Sequence, residues 1–256
     1  MTAHRVPIGT VVVDALTEAQ VVHQVRGTWQ DGGWILTANV DILRAIQRDR
    51  ALKQLASTAT LTVADGMPVV WAGRIAGSAV PERVTGSSLV NTLSAAAARD
   101  GQSVFLLGGA PGVAGRAAAA LQQRWPSLAI AGVSAPPVGF DSTDEGIQAV
   151  IDEVVLARPN LVLIGMGFPK QELMIRRLRE VLPSAWYVGC GAGIPMASGD
   201  SRRAPVAMQN LGLEWLHRLA MEPRRLARRY LRDDLPYAIG LLAKAAARRV
   251  LVGPRP

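Results

Sequence analysis

The chain is poor in most of the residues that mark a metal, disulfide or membrane-spanning protein. One cysteine, Cys190, stands among 256 residues; this excludes an internal disulfide and any zinc site built on several thiolates. A lone cysteine of this kind is best read as a small buried hydrophobe. The three histidines, His4, His23 and His217, are scattered, and no D-x-D pair occurs to hold a divalent ion against a diphosphate. No metal site and no cofactor are therefore expected. No G-x-S-x-G is present and no histidine is placed to assist a serine nucleophile. No apolar run reaches the roughly 20 residues needed to cross a bilayer. Asp14 interrupts the first apolar stretch before a signal-like segment develops. Together these absences predict a reducing, cytoplasmic setting.

Aromatic residues make up only 5% of a chain that is 49% hydrophobic and 19% charged. That balance predicts a well-packed aliphatic core and argues against disorder. The charge is unevenly placed. Sixteen basic and sixteen acidic side chains lie at or before residue 201, whereas twelve basic and four acidic ones follow from Arg202 on. The whole net charge of +8 thus belongs to the last fifth of the chain. Such asymmetry predicts an anionic partner for that segment.

From residue 100 strand and helix patterns alternate. SVFLLGG (103–109), SLAIAGVSA (127–135), NLVLIGMG (160–167) and AWYVGCGAG (185–193) read as buried strands, with helical periodicity between them. Continuous apolar strands separated by helices predict a parallel sheet covered on both faces. The first hundred residues repeat the scheme less regularly. A strand lies around TVVVDAL, a capping box is set by Thr17 and Gln20, and strands lie in GWILTANVD and ATLTVAD; helices follow at about 67–77 and 87–99. The economical division is a Rossmann-like α/β core over residues 1–200 and a basic helical appendage over 201–256.

Three strand ends carry polar cargo: Thr37-Ala38-Asn39, Asp65-Gly66, and GMGFPKQE at 165–172. Asp-Gly is also a common turn pair. If the three ends converge, they supply a base, hydrogen-bonding groups and a glycine-lined phosphate surface at the carboxy edge of the sheet. LLGGAPGVAG (106–115) resembles a dinucleotide fingerprint but lacks the G-x-G-x-x-G spacing, and no acidic residue ends the next strand. That disfavours a nicotinamide enzyme; Gly108 and Gly109 could still sit beneath a nucleotide diphosphate, or serve helix–strand packing alone. In the tail, Arg218, Arg225, Arg228 and Arg229 recur near helical spacing among Trp215, Leu226 and Tyr230. A basic amphipathic helix with aromatic anchors suits an anionic membrane surface. The apolar stretch after Pro236, interrupted by Lys244, Arg248 and Arg249, would lie on a bilayer and not span it. Nucleic acid is the rival partner, but the balanced body and missing reader motif speak against it.

TAN at 37–39, DG at 65–66, ERVTG at 82–86, GMGFPKQE at 165–172, RAP at 203–205 and LEWLHRLAMEPRRLARRY at 213–230 occur in the order seen in the WecG/TagA/CpsF glycosyltransferases, family twenty-six. The chain resembles that family from about residue 8 to 232. The resemblance implies inverting, metal-independent transfer of a sugar, such as N-acetylmannosamine, from a UDP-sugar to a polyprenyl-diphosphate-linked sugar. It implies a Rossmann-like core with a membrane-targeting appendage, working at the inner face of the cell membrane. Asp65 matches the general base; Thr37, Asn39, Arg83 and Gln171 match active-site positions. Gly165, Gly167, Lys170 and Glu172 fall in the motif expected against substrate, with Glu172 the alternative base. Arg218, Arg225 and Arg228 match arginines that meet the lipid diphosphate. The chain departs from the family pattern at Ile194-Pro195-Met196, where relatives carry an aromatic and acidic run, and at Val206-Ala207, where many carry tryptophan. These departures bear on donor-sugar identity. A nucleotide-binding protein without transferase activity is the alternative, and self-association is left open.

Overall fold

A computed structural model describes residues 4–78, 80–210 and 212–252. Its strands are β1 (Arg5–Ile8), β2 (Val11–Asp14), β3 (Gly33–Ala38), β4 (Leu61–Ala64), β5 (Ser103–Gly108), β6 (Ala129–Ser134), β7 (Leu161–Gly165) and β8 (Trp186–Gly189). The last six form one parallel sheet in the order β4-β3-β8-β7-β5-β6. The fold is therefore the expected Rossmann-like α/β architecture. β3, β4 and β8 are buried along their whole length, whereas the edge strand β6 is partly open.

Alternation along the strands builds two cores. Ile35, Val63, Val104, Leu106, Leu163 and Val188 face helices Glu18–Gly27, Gly86–Asp100 and Val113–Arg124. Trp34, Leu36, Phe105, Leu107, Val162 and Tyr187 face helices Val40–Arg48, Asp144–Ala157 and Lys170–Val181. Thr17 and Gln20 form the capping box read from the sequence.

Two features differ from the sequence reading. The single strand around TVVVDAL is one arm of an antiparallel hairpin, β1–β2, whose first arm is short and contains Pro7. Asp14 at its end accepts the backbone N–H of Thr62 at 2.8 Å, occupying a donor on the outer strand β4 that would otherwise be left open. The second difference lies in the tail. Helix Leu235–Val252 does not present all its apolar residues outward. Leu241 and Ala245 are buried in a third core with Val6, Ile8, Leu43, Val69 and Val70, while Leu235 and Ile239 are exposed. The described part of the appendage is thus packed onto the α/β body as well as being basic. Among the described residues no helix is long and apolar enough to cross a membrane.

Candidate active site

Strand order places the site. The chain leaves β5 toward β6 on one side and leaves β7 toward β8 on the other. A crevice therefore opens between the carboxy ends of β5 and β7, the position where doubly wound sheets bind nucleotides. Gly108 ends β5 and Gly109 follows it; Gly165 ends β7 and Gly167 lies in the loop after it. A Cβ at Gly108, whose φ is +115°, would lie 2.6 Å from the Gly165 carbonyl oxygen. A Cβ at Gly165 would lie 2.8 Å from that of Gly191. Glycine here permits close approach of backbones. Gly167 has nothing within 4 Å and is instead demanded by its φ of +78°.

Helices Val40–Arg48, Gly86–Asp100, Val113–Arg124 and Lys170–Val181 all begin at this edge. Val113–Arg124 and Lys170–Val181 have no side-chain cap, and their N-terminal N–H groups and dipoles favour an anion such as a diphosphate.

From the switch point to β4 is three and a half strand spacings, about 17 Å. There two of the three polar strand ends meet, those of β3 and β4, whereas GMGFPKQE follows β7, three strands from β4. Asp65 follows β4, and its backbone N–H donates to Ala38 at 2.9 Å, so Asn39 and Asp65 end adjacent strands. Asn39 caps helix Val40–Arg48, its side-chain oxygen accepting from Ile42 N–H at 3.0 Å. Thr37 is buried and donates its hydroxyl to the Gly189 carbonyl at 3.3 Å.

The Asp65 carboxyl sits in a charged frame. Arg83 Nη1 donates to Glu214 Oε2 at 2.6 Å, and Arg218 Nη2 donates to Glu214 Oε1 at 2.8 Å. Burial pushes Asp65 up to about 6; Arg218 and Arg83 pull it down, the nearby Glu214 raises it, and the Gly86 N–H favours its charged form. Burial also opposes ionisation of Glu214, but the Arg83 hydrogen bond and the Arg218 charge outweigh it and hold that carboxyl below its ordinary value. Glu214 is the member of the frame that sequence reading missed. A signal was present: it is the sole carboxylate between Arg202 and Met221 and lies four residues before Arg218.

The remaining expected residues divide. Gln171 is buried and accepts the N–H groups of Gly167 and Gly191, each at 3.1 Å, so it ties the β7 loop to the β8 loop. The substrate contact expected of Glu172 finds no opening to the crevice, since its side chain is only 2% exposed and is hydrogen-bonded to Gln171 at 2.9 Å. Lys170 turns toward the loop after β6, pairing with Asp141 at 2.8 Å. Arg218 joins the Asp65 frame, whereas Arg228 is exposed on the tail. The side chain of Arg225 lies outside the described residues. Cys190 is buried, and burial pushes its thiol up to about 12, which makes it inert as a nucleophile. Among the described residues no three His, Cys, Asp or Glu side chains cluster as a metal site.

Arg44 links the appendage to the body beside this edge. It donates to Asp234 at 3.1 Å and to Asp41 at 2.6 Å. A carboxyl at a strand end, a glycine-lined crevice and a basic tail that supplies Glu214 and Arg218 thus lie along one edge of the sheet. A sequence model of the family described as "Glycosyl transferase WecG/TagA/CpsF family" matches residues 6–250, which takes in sheet, crevice and tail alike.

Proposed function

Because the chain belongs to the WecG/TagA/CpsF family, glycosyltransferases of cell-surface glycan synthesis, we propose that it transfers a hexose-type sugar resembling N-acetylmannosamine from a UDP-sugar to a polyprenyl-diphosphate-linked sugar. The UDP moiety lies over the glycine turns of β5 and β7, with the sugar reaching along the strand ends toward β4. The about 17 Å from switch point to β4 accommodates a nucleotide and its sugar in extended form.

The observation that carries this reading is Asp65. A carboxyl at about 6 is largely ionised at neutral pH yet basic enough to accept a proton in the transition state. It takes the proton of the acceptor hydroxyl while that oxygen attacks the anomeric carbon from the face opposite UDP. The bond from that carbon to the β-phosphate oxygen breaks, its electron pair leaves with UDP, and the configuration inverts. Helix N-termini, with arginines, neutralise the departing diphosphate in place of a divalent ion. Arg218, with Arg225 and Arg228, meets the acceptor diphosphate, and the tail holds the protein at the inner face of the cell membrane as a peripheral enzyme over a core of residues 1–200.

The test is transfer from a panel of UDP-sugars to a polyprenyl-diphosphate-linked sugar in excess chelator. Product with inverted anomeric configuration is expected. No transfer from any UDP-hexose overturns the reaction assignment. Activity that appears only when magnesium or manganese is restored overturns its metal-free form.

A further inference from the structure

Glu172 has no part in the chemistry above, yet its placement is specific. It stands in the first turn of helix Lys170–Val181, 2% exposed. Its Oε1 accepts from Gln171 Nε2 at 2.9 Å, and its Oε2 is buried without a hydrogen-bond partner. A Cβ at Gly189 would collide with Gln171 Nε2 and lie 2.9 Å from Glu172 Oε1. The pair therefore rests directly on the last residue of β8. The other end of the Gln171 amide accepts the N–H groups of Gly167 and Gly191, and Thr37 donates to the Gly189 carbonyl. One amide thus ties the β7 loop to the β8 loop, Thr37 joins β3 to the same end of β8, and the acceptor on the amide's far side is Glu172.

We propose that Glu172 is a positioning residue for donor binding. By accepting the Gln171 amide hydrogen it fixes the spacing of the β7 and β8 loops, and it neither touches substrate nor takes the reaction's proton. This rests on the reading that the donor diphosphate lies over those loops. Removing the acceptor leaves a buried N–H without a partner, so the amide is freed to turn and release Gly167 and Gly191. An oxygen acceptor is what the geometry requires; a negative charge is not. Burial raises Glu172 to about 7, so glutamine is a close stand-in for the side chain at neutral pH.

The test compares Glu172→Gln and Glu172→Ala in the full chain, by steady-state kinetics with a UDP-sugar and by amide exchange of Gly167 and Gly191 without any donor. In Glu172→Ala the donor KM is expected to rise about tenfold and kcat to stay within about threefold, the mark of lost ground-state binding. Both amides exchange faster, and Glu172→Gln restores KM and protection. A kcat loss of about 100-fold in Glu172→Gln makes Glu172 a chemical group and overturns the proposal. Unchanged KM and exchange in Glu172→Ala also overturn it. Titration of the unmutated protein with UDP-sugar separates two failures. No binding there overturns the functional reading, whereas binding that Glu172→Ala leaves intact overturns the role of Glu172 alone.

Discussion

The two ends of the crevice are built from different materials. At the β5–β7 end the surface is backbone: Gly108 and Gly165 lie too close to the carbonyls of Gly165 and Gly191 for any Cβ. At the β4 end it is ionisable side chains, Asp65 framed by Arg83, Glu214 and Arg218. The first end is made wholly within the parallel sheet, and the second is completed by the basic tail. Binding of a phosphate needs fixed N–H groups and little else. Movement of a proton needs a group whose affinity for it can be tuned. The contrast predicts that damage to the first end is felt as stability and donor affinity, and damage to the second as turnover and pH dependence.

The largest expected effect is at Asp65. Asp65→Asn should lower kcat by roughly 10²–10⁴-fold while UDP still binds; near-normal turnover would remove Asp65 as the base. The same variant should be more stable. A carboxyl raised from 3.8 to about 6 holds its proton more tightly when folded, so its ionisation costs stability above pH 6 and costs nothing below 3.8. Thermal midpoints at pH 8 should therefore rise by the equivalent of about 1–3 kcal/mol, with the gain fading toward pH 4.

Next come the glycines. Gly108→Ala meets both a positive φ and the Gly165 carbonyl, and should weaken UDP binding in calorimetry and cost about 1–3 kcal/mol in unfolding. Gly167→Ala, with strain alone, should cost about 1–2 kcal/mol. Equal losses in both variants would show that close packing at the switch point is unimportant.

A smaller effect sharpens the other end. The acid limb of kcat/KM should fall near pH 6, where Asp65 becomes protonated. Glu214 raises the Asp65 pKa and Arg218 lowers it, so Glu214→Gln should move the limb to lower pH and Arg218→Gln to higher pH, each by about one unit or less. Shifts of the same sign in both would break the frame described here.

The smallest effect concerns the tail and membranes. Each basic side chain near an anionic leaflet is worth on the order of 1 kcal/mol, and Trp215 is 43% exposed beside this charge. Sedimentation with anionic vesicles should carry the protein down at low salt and release it as salt rises. Binding indifferent to salt and to lipid charge would remove the electrostatic account.

Much of the fold is legible in the sequence because β5, β7 and β8 are continuous apolar runs that can only be buried on both faces. The convergence of Asn39 and Asp65 follows from parallel neighbours that both end at the same edge. What escaped reading depended on distant partners. β1 is four residues long, and only pairing with β2 defines it. Leu241 and Ala245 look like exposed helix residues until the hairpin supplies Val6 and Ile8 beneath them. Glu214 is one carboxylate among many arginines, and its meaning appears only when Arg83, 131 residues away, is brought to 2.6 Å. Local periodicity carries no information about such meetings.

The tail from Pro223 to Val252 is one continuous helix, but Arg228–Asp234 within it is wound as a π-helix. Each i→i+5 bond encloses one residue more than its α-helical counterpart. The segment thus acts as a phase offset, like a keyway cut between two toothed lengths of one shaft. The faces before and after it are indexed independently, so the arginine-rich turns and the Leu241–Ala245 seam need not obey a common repeat. Excising one residue from that segment would let its i→i+5 turn close as an i→i+4 turn and so remove the offset. The chain could not repair this by sliding, because Asp234, gripped by Arg44, pins the shaft at the offset itself.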